Sequence, residues 1–142
     1  MEEIAVPLVG IAGKTGSGVF RYDVEGDDCV LALAFEGRDY RASGDDYFDA
    51  LCGIREELEL LGVRPMCYGA SRTAYPSGMG RSMGIRGLKI YKLAMGKPAR
   101  MADLVNIFDA GEDVQPATVA EQAEYYQNWL SSLANAGPPN MK

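Results

Sequence analysis

The run Cys29-Val-Leu-Ala-Leu-Ala-Phe35 is apolar throughout, and turn-forming strings stand on both sides of it, EGDD at 25–28 and EGRD at 36–39. A short apolar run bounded by turns reads as a buried central strand whose neighbours run antiparallel to it. Residues 4–12 and 18–24 alternate apolar and polar side chains, which predicts two further strands, and Tyr40 marks a short fourth. GKTGSG at 13–18 is expected to be a flexible connection between the first two.

That connection sits inside GIAGKTGSGVF, residues 10–20, which looks like the opening of a phosphate-binding loop. The chemistry of such a loop requires G-x-x-x-x-G-K-[ST], with the Lys on phosphate oxygens and the hydroxyl on Mg²⁺. With Gly13 and Gly18 in the glycine positions, Val19 and Phe20 occupy the Lys and Ser/Thr positions. With Lys14 and Thr15 placed correctly, Leu8 occupies the first glycine position. The alternating residues that follow also lack the helix whose N-terminus would face the phosphates. GMGRSMG at 78–84 misses the dinucleotide fingerprint by one residue and likewise precedes a strand pattern.

Ser43 is the expected N-cap of a helix, with Asp45 and Asp46 in its first turn. Tyr47, Leu51, Ile54, Leu58 and Leu61 then recur at helical spacing, and Gly62 stands where a terminating glycine belongs. VRPMCYGA (63–70) and LKIYKLAM (88–95) predict two more strands, while ARMADLVNIF fits a short helix or a strand. Thr118-Val-Ala-Glu121 is a capping box. It opens a helix through about Ala134 whose apolar face uses Val119, Ala123, Tyr126, Leu130 and Leu133, with Trp129 alongside. The pattern implies an α+β fold, an antiparallel sheet of about five strands with two amphipathic helices on one face. One domain is expected over 1–136, followed by a flexible tail at 137–142.

Histidine is absent, which removes histidine-based triads, histidine metal sites and the commonest general base. Cys29, Cys52 and Cys67 are odd in number and widely spaced, with no C-x-x-C, so neither a disulfide framework nor a zinc site is indicated. S-x-x-K, Tyr-x-x-x-Lys and G-x-S-x-G are all missing. No catalytic residue, metal or cofactor is therefore expected. The acidic first residues do not resemble a secretion signal, and no apolar run spans a bilayer, so a cytoplasmic protein without membrane contact is expected.

Charge is segregated along the chain. The 142 residues carry a net charge of −6, yet Val63–Ala102 hold eight basic residues and no acidic one. Within that stretch, SRTAYPSGMGRSMGIRG at 71–87 combines glycines with arginine forks suited to carboxylate or phosphate, and with methionines that adapt to irregular partners. Arg72, Tyr75, Met79, Arg81, Met83 and Arg86 are the candidate partner- or anion-binding residues. Asp45, Asp49, Glu56 and Glu59 on the first helix form an alternative acidic contact face. Tyr68, Tyr75 and Tyr91 interleave with the basic residues as stacking platforms do, but a chain of sequence pI near 4.6 repels polyanions at long range, so nucleic acid is not an expected partner.

CYGASRTAYPSGMGRSMG (67–84), DLVNIFD (103–109) and EQAEYYQNWL (121–130) together resemble small bacterial proteins of the polymorphic-toxin immunity type. The resemblance covers about half the chain and carries no residue-specific role. It implies a non-catalytic binding protein that neutralises a protein partner such as a toxin. The alternative is a small enzyme or ligand-binding protein whose anionic substrate rests on Arg72, Arg81 and Arg86, with Cys67 or Tyr75 as the reactive group.

Overall fold

The computed structural model describes residues 2–10, 15–76 and 86–136. The expected central strand is β3 (Asp28–Phe35), flanked by β2 (Thr15–Glu25) and β4 (Arg38–Gly44). β1 (Glu2–Gly10) lies beyond β2, and β5 (Val63–Pro65) returns to its far side, giving an antiparallel sheet of order β4-β3-β2-β1-β5. Alternation selects one face of β3, where Cys29, Leu31, Leu33 and Phe35 are buried. The register sets Leu33 between Phe20 and Tyr40. Gly18 permits the closest approach in this layer, because a Cβ there would lie 2.7 Å from a Leu33 methyl and 2.8 Å from one of Leu8. Glu36 and Gly37 both have positive φ, 51° and 74°, the paired left-handed geometry whose twist matches a two-residue hairpin.

The expected GKTGSG connection is shorter than its string. Thr15–Gly18 already belong to β2 and pair with Val9–Val6, since small residues let the strand lie flush against its neighbours. α1 (Tyr47–Glu59) also starts later than its sequence signals. β4 continues through Ser43, which pairs with Val30, and the cap is Asp46, whose carboxylate accepts the Asp49 N–H at 2.8 Å. Tyr47, Leu51, Ile54 and Leu58 form the buried stripe as expected. Leu61 does not join it. The helix ends at Glu59, Gly62 takes φ 70°, and Leu60 and Leu61 face solvent at 87% and 51% exposure.

A second, smaller sheet of order β6-β7-β8 is built from Ala74–Tyr75, Lys89–Lys92 and Leu104–Asn106. VRPMCYGA is a strand only as far as Pro65, which has no N–H to extend a ladder, and a 3₁₀ turn follows at Tyr68–Ala70. ARMADLVNIF is a 3₁₀ turn, Met101–Asp103, leading into β8. α2 (Val119–Ala136) opens with the expected capping box: the Thr118 N–H donates to Glu121 at 2.8 Å and the Glu121 N–H to the Thr118 hydroxyl at 3.1 Å. Its buried face is turned from the expected one. Gln122 and Trp129 are buried, whereas Leu130 is 40% exposed.

That rotation follows from what α2 packs against. An aromatic series runs from Phe48 on α1 through Tyr75 on β6 to Tyr126 and Trp129, with centroid separations of 5.3, 4.3 and 5.8 Å. Beside it, Arg55 of α1 is 1% exposed and donates to the carbonyls of Gly69 (3.1 Å) and Ala117 (3.0 Å) and to the Gln122 side-chain oxygen. The Gln122 amide nitrogen in turn reaches the carbonyls of Gly69, Ser71 and Ala74, at 3.1, 2.9 and 2.7 Å. Gly69 is essential to this junction: a Cβ would come within 2.5 Å of Leu51. Replacing Gln122 by Leu removes one acceptor from the buried Arg55 and one donor from each of three carbonyls, and should lower the unfolding free energy by about 3 kcal/mol in urea denaturation at an unchanged m-value.

Candidate functional site

The described arginines of the expected anion site lie against different elements. Arg72 is exposed with its guanidinium 4.7 Å from the Tyr125 ring centroid on α2. Arg86 sits at the start of α1, where its carbonyl accepts the Tyr47 N–H at 2.7 Å and its guanidinium lies 3.7 Å from Cys29 Sγ. Tyr75 is a half-buried member of the aromatic series, held between Phe48 and Tyr126. Met79, Arg81 and Met83 lie outside the described residues, as does the tail at 137–142. On the acidic face, Asp45 and Glu56 are exposed and Asp49 is half-buried. Glu59 is engaged in structure, because its carboxylate accepts the Val119 N–H at 2.8 Å and so anchors the start of α2.

The basic stretch does build a concave surface, further along than its arginine loop. A solvent-open cleft of about 640 Å³ is lined by Lys92, Leu93, Lys97, Pro98 and Arg100 on one side, with Thr73, Asp113 and Gln115 completing it. Its cations differ in their partners. Lys92 is 3.3 Å from Asp113 and lies 5.7 Å from the Tyr68 ring centroid. Arg100 pairs with Asp103 at 3.7 Å. Lys97 is exposed and has no ion pair among the described residues.

The segment carrying these groups is braced from behind by α2. Trp129 donates its indole N–H to the Lys97 carbonyl at 2.9 Å, the Ser132 hydroxyl accepts the Gly96 N–H at 2.8 Å, and the Tyr125 hydroxyl reaches the Leu93 carbonyl at 3.3 Å. Gly96 takes φ 76° to make the turn. Two methionines stand out from this braced segment, Met95 at 43% and Met101 at 60% exposure. The methionine-rich composition of the stretch pointed toward such a surface. Nothing local pointed to Asp113, which comes from a loop far along the chain.

At the edge of the cleft, the Tyr68 hydroxyl donates to Asp113 at 2.6 Å. That hydrogen bond, helped by burial, pushes the Tyr68 hydroxyl up to about 12, and it holds the Asp113 carboxyl below the usual carboxylate range. The arrangement keeps the proton on Tyr68 and the charge on Asp113. Cys67 is unsuited to attack, since complete burial pushes its thiol up to about 11. Among the described residues, no group of three or more His, Cys, Asp or Glu side chains gathers to hold a metal, and no helix is long and apolar enough to cross a membrane. No family model matches the chain, and no curated protein matches it in sequence.

Two outcomes are expected. Because the folded Tyr68 titrates above its ordinary 10.0, its contribution to stability is complete below pH 10 and is lost as pH rises through about 12. Asp113→Ala should bring that titration back toward 10, read by ultraviolet absorbance against a Tyr68→Phe reference. Alkylation of the native protein followed by mass spectrometry should modify the half-buried Cys52 first, and should leave the buried Cys29 and Cys67 untouched until the chain is unfolded.

Proposed function

We propose that this chain is a non-catalytic binding protein that neutralises a partner protein by covering it, in the manner of an immunity protein acting on a toxin. The observation that carries the reading is the segment 93–103, braced at residues 93, 96 and 97, whose exposed Met95 and Met101 adjoin in sequence the cleft-lining Ala94 and Arg100, with Lys97 between them. A surface held by three hydrogen bonds to α2 loses little freedom on binding, which favours affinity. Methionines supply adaptable apolar contact, and the flanking cations favour a partner with acidic side chains. The contact surface thus moves along the basic stretch from the arginine loop toward its C-terminal end.

The test compares the intact protein with a Met95→Ala/Lys97→Glu/Met101→Ala variant of equal thermal stability. Proteins recovered in equimolar amount with the intact chain are identified, purified and assayed for toxic activity. The intact chain should suppress that activity at equimolar amounts, and the variant should need at least about tenfold more. A stoichiometric partner whose activity is unaffected would sink the neutralising reading. Equal suppression by the variant would remove the braced segment as the contact surface.

A further inference from the structure

Two exposed apolar patches with flanking charges of opposite sign lie on separate parts of the chain. One is the end of α1, where Leu60 and Leu61 follow the exposed Glu56 and Glu57, and neither carboxylate has an ion pair among the described residues. The other is the segment along the cleft, where exposed Met95 and Met101 adjoin in sequence the lining residues Ala94 and Arg100. There Lys97 has no ion pair among the described residues, while the exposed Arg100 would exchange its contact with Asp103 for a partner's carboxylate. Apolar side chains exposed to this degree beside unpaired charge mark contact surfaces better than isolated exposure does.

The chain cannot close these patches on each other. The end of α1 is tied to α2 at Val119 through Glu59, and the methionine-bearing segment is tied to α2 at Ser132 through Gly96. At 1.5 Å per residue, roughly 20 Å of rigid helix separates the two anchors. A second copy meets no such obstacle. We infer that copies of this chain associate head to tail, the α1 end of one seated at the cleft of the next. Glu56 and Glu57 then face Lys97 and Arg100, while Leu60 and Leu61 meet Met95 and Met101.

The inference rests on charge and exposure alone and does not need the neutralising function. Such a contact is heterologous: every open assembly leaves one cleft free at one end and one helix end free at the other, so association extends with concentration. Its area is small, which places it among weak, salt-sensitive contacts. A partner occupying the cleft would break the chain of copies.

Sedimentation velocity up to about 1 mM protein, the range in which millimolar contacts populate, provides the test. The wild type should grow in mass with concentration and shrink with added salt. Lys97→Gln/Arg100→Gln and Glu56→Gln/Glu57→Gln, each verified as folded by circular dichroism, should each be monomeric. Mixed in equal amounts, they retain one intact cleft and one intact helix end between them and should form a dimer that does not extend. Adding Leu60→Ser/Leu61→Ser to the chain that supplies the helix end should weaken that dimer about tenfold. A wild type that stays monomeric throughout overturns the inference. So does association that persists in either single-surface variant, or a mixture that yields no dimer.

Discussion

A guanidinium cannot leave water without acceptors, and Arg55 has left water almost completely. Burial pulls its pKa below the ordinary arginine value, and among the described residues no carboxylate lies in hydrogen-bonding contact with it. What holds it are carbonyl dipoles from Gly69 and Ala117 and the amide oxygen of Gln122. These acceptors belong to the 3₁₀ turn, to the approach to α2 and to α2 itself. α1 can therefore bury its stripe in full only when the other elements have converged on the same point. The surrounding aromatic series adds area and rigidity, but the polar junction specifies the angle at which α2 docks, because the Gln122 amide must meet three carbonyls together.

The proposed contact surface inherits its position from this junction. Leu93, Gly96 and Lys97 make hydrogen bonds to Tyr125, Ser132 and Trp129, so wherever α2 goes Met95 and the lysine follow. α2 in turn is fixed at one end by Glu59 and near that end by Gln122. A charge of one sign is thus delivered to the surface through a buried charge of the same sign about one helix away. The acidic residues of α1 divide accordingly: Glu59 is part of the frame, while Glu56 and Glu57 remain at the surface.

The strand meander and both helices were legible because their signals are local. CVLALAF between two turns, the stripe at 47, 51, 54 and 58, and the Thr118–Glu121 box each report on a few adjacent residues, and nothing tertiary contradicts them. Signals failed where a neighbour claimed the same backbone. Ser43 is a good cap in isolation, but the ladder with Val30 holds it in β4, and Asp46 takes the role. Gln122 reads as a polar residue on a helix flank, and only the arrival of Arg55 from 67 positions earlier makes it the most constrained side chain of α2. The cleft was legible as composition, in its lysines and methionines, and illegible as shape. Its two sides come from Thr73, from the stretch 92–103 and from the loop at 113–115, and no spacing rule connects those.

The span between Arg55 and Gln122 has a kinetic meaning as well. A ribosome releases α1 well before α2, so the nascent chain carries a cation designed for burial while its acceptor has yet to be made. The meander and α1 can collapse early from contacts close in sequence, but Arg55 must stay hydrated during that interval and hold a wet gap open against the Gly69 turn. At about 5–20 residues per second, the 67 positions between Arg55 and Gln122 take seconds to synthesise, far longer than a hairpin needs to form. The Arg55–Gln122 pair can form only after α2 has been made, so the order of synthesis sets when this junction can close.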